Sequence, residues 1–171
     1  MKKKYIYIGI GLMITLMVGY LVIWGINVRS YAPYIREEDV VYSSANGYLM
    51  ETEGNILYYV KKPSFPSFVG NLVGQTRDDQ ISVFIWPSLF GNGVDERGVF
   101  LKTEDGTEVF LLYVTATMEY DPQKSTGLDE VQEAQAKELL QERRAEVLQI
   151  YSAMCQRFAI SEYTDGTQSF Q

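Results

Sequence analysis

No charged side chain occurs between Tyr5 and Val28, and Lys2, Lys3 and Lys4 stand immediately before that run. At about 1.5 Å per residue a helix over these positions reaches roughly 36 Å, against a bilayer hydrocarbon core of about 30 Å. A charge at the centre of an inserted helix costs about 2.5–3.5 kcal/mol, so its complete exclusion here fits the segment to lipid. Tyr5 and Tyr7 sit at one end and Trp24 near the other, where amphipathic rings favour the headgroup boundary. Positive charge resists translocation, so the expected topology keeps the amino end cytoplasmic and everything after residue 28 outside. The expected division is a cytoplasmic tail and transmembrane anchor over 1–28, a juxtamembrane linker over 29–39 and an extracytoplasmic domain over 40–171.

A cleavable signal peptide is the rival reading. Its apolar core normally runs about 7–15 residues and ends in a small-x-small site. The run here is longer, and Ser30-Tyr31-Ala32 is followed by Pro33, which disfavours cutting. The spacing of Gly9, Gly11, Gly19 and Gly25 contains no pair four apart, so the close-packing motif for helix dimers is missing.

Composition narrows the chemistry of the outer part. Of 15 basic residues three are the leading lysines, leaving 12 against 22 acids and a net −10. Such a surface repels phosphate backbones, so nucleic acid is excluded as an expected partner. The chain has no histidine and one cysteine, Cys155. The commonest general base and metal ligand are therefore missing, and so is any intrachain disulfide. No cofactor is expected.

Beyond the anchor the pattern is one of short strands. Positions 40–44 and 48–52 flank Asn46-Gly47, a dipeptide suited to tight hairpins, and Gly54-Asn55 leads into a third strand over 56–61. Prolines hold 63–68, Pro-Ser-Phe-Pro-Ser-Phe, out of any central strand. Positions 80–86 alternate, 91–98 read as a glycine-rich acidic loop, and 99–103 with a long strand over 107–120 flank Asp105-Gly106. Thr126 with Asp129 resembles a capping box opening one helix that runs to about Phe158. In that helix Glu133 and Lys137 are placed to pair, and Leu140, Val147, Leu148, Tyr151, Met154, Cys155 and Phe158 share one arc. Positions 160–164 and 167–170 flank Asp165-Gly166 as a terminal hairpin. The expected fold is α+β: an N-terminal transmembrane helix, then an antiparallel sheet or partial barrel covered by one long C-terminal helix.

Sites are few. Asp78-Asp79 and Asp95-Glu96 are the loop carboxylate pairs, and adjacent residues of an extended segment point to opposite sides. Ser64 and Ser67 lie near Lys61 and Lys62 without anything that fixes a nucleophile and base. Candidate partner-binding residues are the aromatic anchors Phe65, Phe68, Trp86 and Phe90, with Arg143 and Arg144 flanking the helix arc. The expected function is a single-pass, membrane-anchored extracytoplasmic domain that acts without catalysis, by binding or assembling with another protein, and touches lipid through residues 5–28. The alternatives are an anchored hydrolase working with carboxylates alone and a small-ligand module lined by Phe84, Trp86 and Tyr113.

Overall fold

The computed structural model describes residues 2–51, 54–88, 94–103, 106, 108–125 and 127–161. Helix α1, Lys2–Ser30, takes up the whole apolar run and is the one described helix long and apolar enough to cross a membrane. It does not end in a free spacer. Tyr31 is only 3% exposed, and two short 3-10 turns, Ala32–Tyr34 and Glu37–Asp39, carry the chain onto the domain. An aromatic chain ties this junction to the far end of the molecule: Tyr31 meets Tyr34, Tyr34 meets Phe158, and Phe158 meets Tyr58, each ring edge to face at about 6 Å.

Seven strands follow: β1 Val40–Ser43, β2 Gly47–Glu51, β3 Ile56–Lys61, β4 Asn71–Thr76, β5 Ile81–Pro87, β6 Val94–Lys102 and β7 Val109–Tyr113. They form one antiparallel meander in chain order, an open sheet and not a barrel. Two rows of directly paired residues describe it. Met50, Tyr58, Gly74, Val83, Val99 and Leu112 run across one face, and Leu49, Tyr59, Val73, Phe84, Gly98 and Tyr113 across the other. Because side chains alternate along a strand, a step of one residue moves from one face to the other.

Helices α2, Glu130–Glu142, and α3, Arg144–Phe158, cover the first face. From α3, Val147, Ile150, Tyr151, Met154 and Phe158 are buried against the sheet, whereas Leu148, expected on the same arc, is 37% exposed. Gly74 makes this approach possible: a Cβ there would lie 2.7 Å from Met154 Cγ and 2.9 Å from Ile150 Cγ2. From α2 only Ala136 and Leu140 are buried, while Val131 is 67% exposed, so the amino-terminal half of the helical segment does stand clear of the core.

Several sequence expectations are corrected. The single long helix is two, broken at Arg143, whose φ of −91° and ψ of 5° leave the helical region. Asp129 is the helix cap itself, boxed with Gln132, and not the third residue of a box opened by Thr126, which lies outside the described residues. The long strand over 107–120 stops at Tyr113. Val114 bridges back to Tyr120 through a turn closed by Met118 N donating to Thr115 O at 3.1 Å, with Met118 at a φ of +55°. Strand β4 was not anticipated, and β6 begins at Val94 inside the expected acidic loop. The hairpin expected over 160–170 lies almost wholly outside the described residues.

Candidate functional site

Among the described residues no helix lies over the second face of the sheet. Its strands curve around a groove of about 700 Å³, floored by Tyr59, Val73, Phe84 and Phe100 and rimmed by Tyr42, Lys61, Asp79 and Lys102. These residues reach one surface because they occupy alternate positions on β3, β4, β5 and β6: Tyr59 pairs with Val73, Val73 with Phe84, and Phe100 with Ser82. The aromatic rings are mutually ordered. Phe84 and Phe100 meet edge to face at 5.1 Å, Phe84 and Trp86 stack at 6.0 Å, and Trp86 stacks on Tyr113 at 5.8 Å. Gly98 leaves room for this stack, since a Cβ on it would sit 3.0 Å from Trp86 Cζ3.

The groove is poor in catalytic groups. Asp79 is the one carboxylate among its described lining residues, and it is held by Lys102 and by the Gln75 amide. Its neighbour Asp78 faces its own turn, where hydrogen bonds from the Thr76 hydroxyl and then the Gln80 amide keep its carboxyl below the ordinary range. Asp95 and Glu96 lie on β6 at the other end of the sheet, beside a smaller hollow of about 400 Å³ with Tyr31, Phe68, Trp86 and Tyr113. Glu96 reaches Lys124 at 3.4 Å. Neither pair supplies two acids facing each other across the groove. The Ser67 hydroxyl accepts from the Val69 amide, and Lys62 donates to Tyr48 Oη at 3.4 Å and lies over its ring at 4.8 Å. Among the described residues no three His, Cys, Asp or Glu side chains gather as metal ligands.

No protein-family model matches this chain, and no curated protein or solved structure shows a significant similarity to it. The geometry alone must carry the functional reading.

The structure separates the candidate partner-binding residues into three places. Trp86 belongs to the aromatic stack of the open face. Phe65 and Phe68 lie away from the groove, against α1: Phe65 meets Tyr20 and Trp24 at about 6 Å and Phe68 meets Tyr20 at 4.8 Å. Arg143 and Arg144 sit at the junction of α2 and α3. Arg143 reaches Glu146 at 3.5 Å, and Arg144 donates to Thr117 O and Glu119 Oε1, both at 3.1 Å. Phe90 lies outside the described residues. The expected Glu133–Lys137 pair forms at 2.6 Å, and Lys137 also covers the Tyr120 ring at 4.7 Å.

Sequence reasoning missed Tyr59 and Phe100 as groove residues, although their alternation within β3 and β6 was the available signal. It also missed two arginines under the helices. Arg97 Nε donates to Tyr151 Oη at 2.8 Å, and Arg157, 7% exposed at its side chain, pairs with Asp39. Burial raises the affinity of Tyr151 and Tyr58 for their protons, and the neighbouring Arg97 and Arg157 partly offset this.

Proposed function

We propose that this chain is a single-pass membrane protein whose extracytoplasmic domain binds another protein through the open face of its sheet. The observation that carries the reading is the aromatic groove: Tyr59, Phe84 and Phe100, each partly exposed, form an apolar floor in which Phe84 and Phe100 meet edge to face, with charges at its rim. Water-exposed apolar surface of this kind gains free energy on being covered, and ordered aromatics lose little entropy in the process.

Retention of α1 has a packing argument as well as a length argument. Cutting after Ala32 would remove Tyr31, a core residue whose ring lies 2.8 Å from the position a Cβ would take on Gly70. It would also strip Tyr20, Trp24 and Asn27 from their hydrogen bonds to residues 66–68. The three lysines ahead of the span favour an amino end in the cytoplasm and a domain outside.

The test is photocrosslinking in the native membrane from the full chain, with the reactive residue at Phe100 on the groove floor, Tyr42 on its rim or Leu148 on α3. The expected result is one polypeptide adduct shared by positions 100 and 42 and missing from 148. Equal labelling from all three, or none from the groove, defeats the reading. A second reading rests on the groove's size, about 700 Å³, which falls among ordinary small-molecule sites. An adduct of small-molecule mass at position 100 would favour it.

A further inference from the structure

The loop over residues 63–69, between β3 and β4, runs along the last turns of α1 instead of over the domain. Three successive carbonyls, of Pro66, Ser67 and Phe68, accept hydrogen bonds from Tyr20 Oη, Trp24 Nε1 at 3.1 Å and Asn27 Nδ2 at 2.5 Å. Those donors recur every three or four residues and so share one side of the helix. Four of the seven loop residues also present no free amide N–H. Pro63 and Pro66 have no N–H, Ser67 N donates to Ser64 O at 2.7 Å, and Val69 N donates to Ser67 Oγ at 3.0 Å. Most of what faces outward is apolar: Phe65 is 61% exposed and Val69 62%, with Pro66 and one polar residue, Ser67, exposed between them.

A loop whose tip carbonyls are bonded internally while large apolar side chains stand free suits a lipid boundary, where an unpaired N–H or C=O is costly. Depth agrees with this. Along the helix axis Tyr20 stands about 22 Å and Trp24 about 28 Å from Tyr5, at about 1.5 Å per residue. With Tyr5 at one edge of a core about 30 Å thick, the opposite edge falls near Trp24, and the loop tip at Tyr20 reaches about 6 Å below it. Interfacial segments sit at comparable depths, about 5–10 Å into the headgroup–acyl boundary.

We propose that residues 63–69 form a second membrane contact, seating Phe65 and Val69 in the lipid of the leaflet from which the domain emerges. The proposal rests on the reading of α1 as a retained anchor. The loop then completes, with Tyr20 and Trp24, an aromatic belt that neither segment supplies alone, and it fixes the tilt of the domain over the bilayer.

The test uses the full chain with Cys155→Ala and one new cysteine, Met13→Cys, Tyr42→Cys, Phe65→Cys or Val69→Cys, carrying an environment-sensitive fluorophore. Each is reconstituted in phosphatidylcholine vesicles without nitroxide lipids, with lipids bearing a nitroxide high on the acyl chain, or with lipids bearing one deep on it. Labels at 65 and 69 are expected to shift to the blue and to be quenched about twofold or more, with the label at 42 unchanged. Quenching by deep nitroxides at 13, with 65 and 69 behaving like 42, overturns the loop contact and leaves the anchor standing. If 13 is not quenched either, the anchor reading falls and takes this proposal with it. Two loop positions are used so that loss of one side chain does not decide the outcome.

Discussion

Two rows of residues cross the same seven-stranded sheet one position apart and end in different surroundings. The row through Tyr58, Gly74, Val83 and Leu112 lies under α3 and is almost wholly removed from water, while the row through Tyr59, Phe84, Gly98 and Tyr113 forms the floor and flank of a groove. Both rows are rich in aromatic and aliphatic side chains, so hydrophobicity did not choose which one was covered. Each contains a glycine, and the two glycines show the difference. The space above Gly74 is filled by Met154 and Ile150 from another element, whereas the space above Gly98 is filled by Trp86 from the neighbouring strand. One face is closed by tertiary packing. The other is arranged only by its own rings.

The largest expected effect comes from the closed face. Ile85→Ala removes a fully buried side chain, and unfolding of the full chain in detergent should show a loss of about 2–5 kcal/mol. Its neighbour Phe84→Ala should cost half of that or less in the same measurement, yet abolish the adduct formed from position 100; an equal stability loss at the two positions would erase the contrast between faces. Gly74→Ala, which drives a Cβ into Met154 and Ile150, is expected to cost about 1–3 kcal/mol by the same assay. Gly98→Ala meets the edge of a partly exposed Trp86 ring that can give way, with Leu112 O at an ordinary 3.4 Å, and about 1 kcal/mol or less is expected.

The smallest effect concerns pH. Tyr58 and Tyr151, both on the closed side, have their pKa raised above the ordinary 10.0 by burial. The unfolded chain therefore ionises first. The stability these phenols contribute is fully present below about pH 10 and is lost as pH rises through their higher folded-state values. Melting temperatures followed from about pH 8 to about pH 11 should fall only above about pH 10, and less steeply in Tyr58→Phe. A flat profile would mean that the closed face is wetter than its packing implies.

Much of the fold was legible in the sequence. Residues 5–28 specified α1, Asn46-Gly47 marked the β1–β2 connection, and the alternation over 80–86 placed Ile81, Val83 and Ile85 together on the covered face. Gly106, at a φ of +68°, lies in the expected β6–β7 connection, where glycine's freedom is needed. The failures have physical causes. Strand β4 was hidden because Gly74, the residue that admits α3, is a poor strand former in isolation. The start of β6 was hidden because Asp95, Glu96 and Arg97 look solvated, although Arg97 turns under the helices to Tyr151. The break after Tyr113 was masked by continuing alternation, whereas Thr115 and Thr117 bond each other and close a turn. The groove was only half visible: Phe84, Trp86 and Tyr113 stood out together, but their company with Tyr59 and Phe100 depended on strand register.

The sequence by itself determined the local periods and the one described helix long and apolar enough to cross a membrane, because charge exclusion and side-chain alternation act over a few residues. Tertiary structure decided which face of the sheet is covered, where the 63–69 loop lies and how Arg97 and Arg157 are paired. Those outcomes rest on contacts such as Met154 on Gly74 and Trp24 on Ser67, between positions far apart in the chain. Their energies come from shape and from the satisfaction of polar groups in three dimensions, which no local pattern of residues contains.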